Sequence, residues 1–488
     1  MLRFEPVIGL EVHAELQTAS KMFCGCAVVD SISAEPNTAV CEICTGMPGT
    51  LPVINKRAVE YALRVALALN CEIAEINVFA RKNYFYPDLP KGFQISQYEL
   101  PLAHDGWLFI DTEKGEKRIR IRRVHIEEDT GKLSHRPDYS LVDYNRSGVP
   151  LLEIVSEPDL NSLEEVKTYA TSLRSILRYL KVNSGDMEKG VIRFEANVSV
   201  RPVDSEVLGT RTEIKNLNSF RAMTRAVDYE VERQSQIIVN GGKVLQETVG
   251  WDETAEVTVS QRGKEEAHDY RYFPEPDLPP LELDPTWVEE IRSHLPELPH
   301  LKTKRFITQY HLNPYTASVL TAERDVADYY EEAVSSASEI PASKIANWLS
   351  SDFFGLLNEK GISIDQCEVL PENLAELVRM VETGEINASS GKAVLSTMFE
   401  RGERAASIVE RQGLRQITDP ALIHRTVEYV LHSNPEQVHQ YLEGKHTIRQ
   451  WFFGQVMRAM DGKADPSILQ PILEEVLQDF EKGHRQLE

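Results

Sequence analysis

Residues 7–16, Val-Ile-Gly-Leu-Glu-Val-His-Ala-Glu-Leu, combine an apolar period with ionisable groups. Read as a strand, the run puts Ile8, Leu10, Val12, Ala14 and Leu16 on one face and Glu11, His13 and Glu15 on the other. Two carboxylates flanking an imidazole suit a hard divalent cation, although a water-facing strand carries charges too. The pattern recurs. Residues 191–201 put Arg193, Glu195, Asn197, Ser199 and Arg201 opposite an apolar face, and Arg211, Glu213 and Lys215 alternate around Thr212 and Ile214. Residues 151–155 are apolar except for Glu153, a carboxylate that must lie at a sheet end or be held by a partner or cation. Several such faces together predict one polar bowl.

A basic strand, residues 117–123, runs into His125-Ile126-Glu127-Glu128-Asp129. Its apolar parity slips from Ile119 and Ile121 to Val124 and Ile126, which predicts a bulge near Arg122–Arg123. Parity sets Glu127 beside His125; the bulge leaves Glu127 and Glu128 both open as ligands. Oxygen donors with one imidazole fit Mg²⁺ or Mn²⁺ better than zinc.

The cysteines point elsewhere. Cys24-x-Cys26 and Cys41-x2-Cys44 have the spacing of a zinc knuckle, and the spacing predicts a structural zinc, with free thiols as the other reading. Cys71 and Cys367 stand alone and read as buried small hydrophobes.

The elements that must position these groups fill a chain of 488 residues, enough for several cores. Short alternating strands mix with helices at residues 55–70 and 162–180 as far as about residue 280. An extended aromatic and proline-rich boundary follows at 270–280, predicted to pack on the first domain, and helices dominate from Trp287. The expected division is 1–292, an α+β domain; 293–405, all helical; and 406–488, a small helical tail. In the tail, Lys445, Arg449, Arg458 and Lys463 lie near glycine-containing turns and suit phosphate contacts, while Trp451, Phe452 and Phe453 read as bundle core. A net charge of −23 argues against binding nucleic acid over the whole surface and confines any RNA contact to local patches. No apolar run is long enough to span a bilayer, and residues 1–6 lack a signal-peptide layout, so a reducing cytoplasm is the expected compartment.

The openings Val7-Ile8-Gly9-Leu10-Glu11-Val12-His13 and Arg81-Lys82-Asn83-Tyr84-Phe85-Tyr86-Pro87-Asp88, with Lys215-Asn216-Leu217-Asn218-Ser219-Phe220 and Asp269 to Asp277, resemble the B subunits of tRNA-dependent amidotransferases. Gly454-Gln455-Val456-Met457 and Gly462-Lys463-Ala464-Asp465-Pro466 resemble the same family's tail, and the resemblance covers the whole chain. It implies a glutamine-synthetase-like cradle with a mostly antiparallel sheet, a helical domain and a YqeY-like tail that binds tRNA. It also implies ATP-dependent amidation of glutamate on tRNA(Gln), of aspartate on tRNA(Asn), or of both, with Mg²⁺. On that resemblance Glu11, His13, Glu128 and Glu153 are the metal and nucleotide residues, Lys82 the phosphate or substrate cation, and Arg193, Glu195 and Lys215 further contacts. The chain shows no Gly/Ser-rich amidase signature and no cysteine placed as a glutaminase nucleophile. The family implication is an amidase subunit delivering ammonia through a channel, with a small third subunit. The rival expectations are a glutamine-synthetase-like ligase of a free amino acid and a zinc-stabilised tRNA scaffold without catalysis.

Overall fold

The computed structural model describes residues 3–30, 32–263 and 270–485, so Asp269 of the last cradle motif lies outside the described residues. Two compact units emerge, Met1–Leu301 and Lys302–Glu488.

The first unit is α+β, built on a nine-stranded sheet. Its order across the sheet is Val257–Gly263, Glu247–Asp252, Thr212–Leu217, Ile192–Pro202, Phe4–Glu15, Pro150–Ser156, Gly115–Glu128, Ala103–Thr112 and Glu72–Ile73. All neighbours are antiparallel except Thr212–Leu217 with Glu247–Asp252. The alternation read from the sequence is what the sheet buries. Leu10, Val12, Ala14, Phe194, Ala196, Val198 and Ile154 join one apolar core with helices Lys56–Ala68, Leu163–Tyr179 and Phe220–Val239. Each helix begins at a side-chain cap: Asn55 accepts from Arg57 and Ala58, Ser162 from Glu165 and Ser219 from Ala222, satisfying N–H groups the helix itself cannot. With one face covered by helices, the alternate residues must all emerge on the other.

The bulge falls where the parity slipped. Val155 lies opposite Arg123 but Ser156 opposite Ile121, leaving Arg122 as the extra residue. The boundary segment also packs as expected: Phe273–Pro274 pairs with Phe79–Asn83, which pairs with Phe93–Gln97, and Leu278 enters the main core. Two motif runs nearly two hundred residues apart are thereby clamped together. Arg81 Nε and Nη2 donate to Glu275 Oε2 and Oε1 at 2.8 and 2.7 Å.

The second unit is helical and holds two separate apolar cores, one of residues from Phe306 to Val409 and one from Ile423 to Leu477. Helix Ala405–Gln412 packs in the former. The two cores are joined by the Ile417–Ala464 bridge and by Asn387 Nδ2 donating to Gly462 O at 3.1 Å.

Glu275 is buried and Arg81 is its bidentate partner, so removing the carboxylate takes away the two-pronged bond and leaves Arg81 the longer contact to Asp277 at 3.2 Å. Glu275→Ala is expected to lower stability by about 3 kcal/mol or more, read as a lower urea midpoint for loss of the first unit's structure. An unchanged midpoint would show that the clamp contributes nothing.

Candidate active site

The central register builds a row of charges across four strands. His13 lies opposite Glu153 on one side and Arg193 on the other, and Glu153 lies opposite His125. Glu153 sits in the middle of the row: Oε2 is 3.4 Å from His13 Nε2 and 3.5 Å from His125 Nε2, and Oε1 is 3.5 Å from Arg123 Nη2. The buried carboxylate read from the sequence is therefore held by partners in mid-sheet. Glu127 completes the group; one ligand atom each of His13, Glu127 and Glu153 lies within 4.8 Å of the others.

Electrostatics divides these groups. Burial opposes ionisation of Glu153, but His125 and the His13 hydrogen bond outweigh it and hold its carboxyl well below the usual range. Burial alone would lower the His13 pKa; its bond to Glu153 raises it to about 9. Burial pushes His125 down to about 4 and leaves it neutral, and its Nδ1 is buried without a hydrogen-bond partner. Burial, reinforced by Glu153, pushes Glu127 up, while Ser96 Oγ donates to its Oε2 at 3.1 Å. A second anionic carboxylate is costly here unless a cation arrives. The donor set, two carboxylates and an imidazole with an orphaned imidazole nitrogen nearby, fits a hard divalent ion.

Glu128 stands apart from this group. Strand alternation turns it to the opposite side from His125 and Glu127, where Lys91 Nζ donates to its two oxygens at 2.5 and 2.6 Å and Ile95 N–H donates at 2.9 Å. The parity reading, not the motif reading, matches the geometry.

Two residues nearer the start of the first strand, a second cluster forms. Glu11 lies opposite Glu195, and their carboxylates gather with that of Glu213. Asn197 Nδ2 donates to Glu11 at 2.8 Å; Lys215 Nζ donates to Glu195 at 2.6 Å and lies 3.1 Å from Glu213. Burial and then the neighbouring carboxylates raise the Glu11 pKa. Glu11 and Asn197 also line a groove of about 640 Å³ with Tyr98, Arg122, Arg123 and Arg211, of a size that takes a nucleotide. Lys82 lies with its ammonium 5.3 Å from the Tyr270 ring centre; burial lowers its pKa, but Glu127 above all raises it to about 12. Arg193 turns the other way and pairs with Asp129 at 2.8 Å.

The thiols of Cys24, Cys26, Cys41 and Cys44 converge, none in a disulfide, with one ligand atom each within 4.8 Å of the rest. Cys41 N–H donates to Cys44 Sγ at 3.1 Å, and the fully buried Lys21 ammonium lies 3.6 Å from it. Backbone donors and a cation turned on thiolate sulfur fit a structural zinc site of four cysteines.

Residues 6–289 match the family model described as the GatB/GatE catalytic domain, and residues 328–477 match a GatB domain. The B subunit of the aspartyl/glutamyl-tRNA(Asn/Gln) amidotransferase of Persephonella marina is 50% identical over 476 residues, covering 98% of this chain and 100% of its own. The protein of the same name from Moorella thermoacetica is 51% identical over 480 residues, with the same coverage.

The chain belongs to the GatB/GatE family.

The GatB/GatE catalytic-domain match spans the whole charged row. Sequence reasoning missed two members of it: His125, named only as Glu127's neighbour, and Arg123, named only for the bulge. It also missed Asp129, which accepts from Arg193 and lies 3.7 Å from Arg146 Nε. The signal for His125 was its parity with Glu127. Arg146 carried none, because it meets Asp129, just past the end of the basic strand, only when the segment between them folds back. In the GatB domain, Lys445, Arg449 and Arg458 are exposed, Lys463 is half-buried, and Arg449 donates to Glu474 at 2.7 Å. Phe452 is core and Phe453 packs against it as expected, but Trp451 stands at the surface, 39% exposed.

Two measurements test these centres. Mn²⁺ titration followed by paramagnetic resonance is expected to show affinity falling roughly tenfold or more for Glu127→Gln, with Glu128→Gln close to wild type; the reverse order would restore Glu128 as the ligand. Elemental analysis of the purified chain is expected to give one zinc per chain, lost in Cys41→Ser.

Proposed function

We propose that this chain amidates misacylated tRNA: with ATP it converts the side-chain carboxylate of glutamate on tRNA(Gln), of aspartate on tRNA(Asn), or of both, into the amide. The observation that carries the reading is the juxtaposition of His13, Glu127 and Glu153 with the groove at Glu11. Its relatives' names describe the same activity. The chemistry is that of a carbon–nitrogen ligase. A substrate carboxylate oxygen attacks the γ-phosphorus, ADP departs, and ammonia then replaces phosphate on the acyl carbon.

His13, Glu127 and Glu153 would hold Mg²⁺, which when bound neutralises phosphoryl oxygens. Every other task falls to side chains. Glu11, oriented by Asn197, faces the nucleotide; Lys215 balances Glu195 and Glu213 along the same wall. Lys82, its charge secured by Glu127, steers the substrate carboxylate against the phosphoryl group. Arg193 shapes the bowl by tying Asp129 in place. Glu128 with Lys91 forms a separate ion pair beside the four-cysteine cluster, where zinc would fix the loop. Lys445, Arg449, Arg458 and Lys463 of the tail would take tRNA phosphates. The relatives' names imply a heteromeric assembly, and we assign ammonia supply to an amidase partner, with a small third subunit completing a cytoplasmic complex. Among the described residues no helix is long and apolar enough to cross a membrane.

The test uses the reconstituted assembly with its glutaminase disabled, ATP, Mg²⁺, free ammonium and glutamyl-tRNA(Gln). Wild type is expected to form amidated aminoacyl-tRNA, and Glu11→Gln and His13→Ala to form it roughly 100-fold more slowly or worse. Equal product from Glu11→Gln would remove that residue from the mechanism. No product from wild type with either glutamyl- or aspartyl-tRNA would favour a scaffold.

A further inference from the structure

The basic strand Gly115–Glu128 carries four arginines between residues 118 and 123, and three of them are occupied. Arg118 stacks its guanidinium 4.4 Å from the Trp107 ring centre. Arg120 forms a two-pronged pair with Asp159 at 2.9 and 2.7 Å, and Arg122 a similar one with Glu157 at 2.9 and 2.8 Å. Arg123 differs. Among the described residues its one acidic contact is Glu153 at 3.5 Å, too long for a strong hydrogen bond, and its Nε is buried with no acceptor. A guanidinium has five donors in a rigid fork, so this one is held in place with most of its capacity unspent.

Its position follows from the bulge. With Arg122 as the extra residue, Arg122 turns out to Glu157 while Arg123 shares the polar face with His125 and Glu127. The Tyr98 ring, 6.0 Å away and stacked on Tyr272 with ring centres 4.2 Å apart, backs the guanidinium. Arg123 thus touches the carboxylate shared by His13 and His125 on one side and lines the groove of Glu11 on the other.

Resting on the amidation reading above, we infer that Arg123 is a catalytic residue that grips the transferring γ-phosphoryl group of ATP. Only that group must lie against both the Glu153 cluster and the groove at once. The charge on its equatorial oxygens changes as it passes from ADP to the substrate carboxylate, and a planar, pre-aimed donor fork stabilises that passage more than it stabilises bound nucleotide. The step balances without another reactant: the carboxylate oxygen–phosphorus bond forms, the bond to the β-phosphate oxygen breaks, and ADP carries away the electron pair.

The experiment uses the full assembly with glutaminase disabled and no ammonium, saturating ATP and misacylated tRNA, and follows single-turnover ADP formation alongside equilibrium ADP binding. Arg123→Lys and Arg123→Ala are expected to slow the turnover roughly 100-fold or more, with ADP affinity within about twofold of wild type. Added guanidinium ion is expected to recover part of the rate in Arg123→Ala and none in Arg123→Lys. Unaltered thermal unfolding of Arg123→Lys shows that the loss is not one of folding. Variant rates within about threefold of wild type would overturn the assignment, as would an ADP affinity that falls by the same factor as the rate. A wild-type assembly that forms no ADP on adding tRNA would instead overturn the amidation reading, and this inference with it.

Discussion

Glu153 is the point on which the first unit's chemistry turns. A carboxylate 7% exposed in the middle of a nine-stranded sheet costs more than the fold can spare unless cations meet it. The charged His13 and Arg123 do so from the strands on either side, with the neutral His125 ring against the same carboxylate. The register is thereby tied to the chemistry: sliding the first strand by one residue would send His13 into the helix-covered core and leave Glu153 short of a partner. The apolar alternation under the helices and the charged alternation above them enforce the same pairing.

Around that point the face is graded. At one end His13 and Glu153 form an ionic pair beside a Glu127 pushed towards its neutral form. At the other, Glu11, Glu195 and Glu213 crowd together, with Lys215 paired to the last two. Two carboxylate clusters beside Lys215, Lys82 and Arg123 make a face that would suit a cation and a phosphate-bearing ligand together. Lys82 and Arg123 enter from different directions. The former rides on the small sheet clamped by Arg81 and Glu275; the latter is aimed by a bulge in the large one.

Much of this was legible in the sequence, and for a definite reason. Strand alternation is local, so the faces carrying Glu11, His13, Arg193 and Glu195 could be read residue by residue, as could the bulge from the parity change at residues 121–124 and the thiol cluster from its spacing. The α+β class and the mostly antiparallel sheet followed from the same patterns and from the family resemblance. What was not legible depends on which strands are neighbours. Glu127 and Glu128 are adjacent in sequence, and the family motif favoured Glu128; only the alternation beyond the bulge, which sets Glu127 with His13 and gives Glu128 to Lys91, separates them. The engagement of Arg193 by Asp129 and the exposure of Trp451 likewise rest on distant chain segments meeting.

The central claim is that this chain phosphorylates a carboxylate and then replaces the phosphate. Oxygen-18 in the side-chain carboxylate of glutamyl-tRNA(Gln) tests it directly, using the assembly with glutaminase disabled and ammonium as nitrogen donor. The account predicts one labelled oxygen in the inorganic phosphate released with each amide formed, carried there from the substrate. Amide formed with unlabelled phosphate would mean that ATP is cleaved by water, and would contradict it.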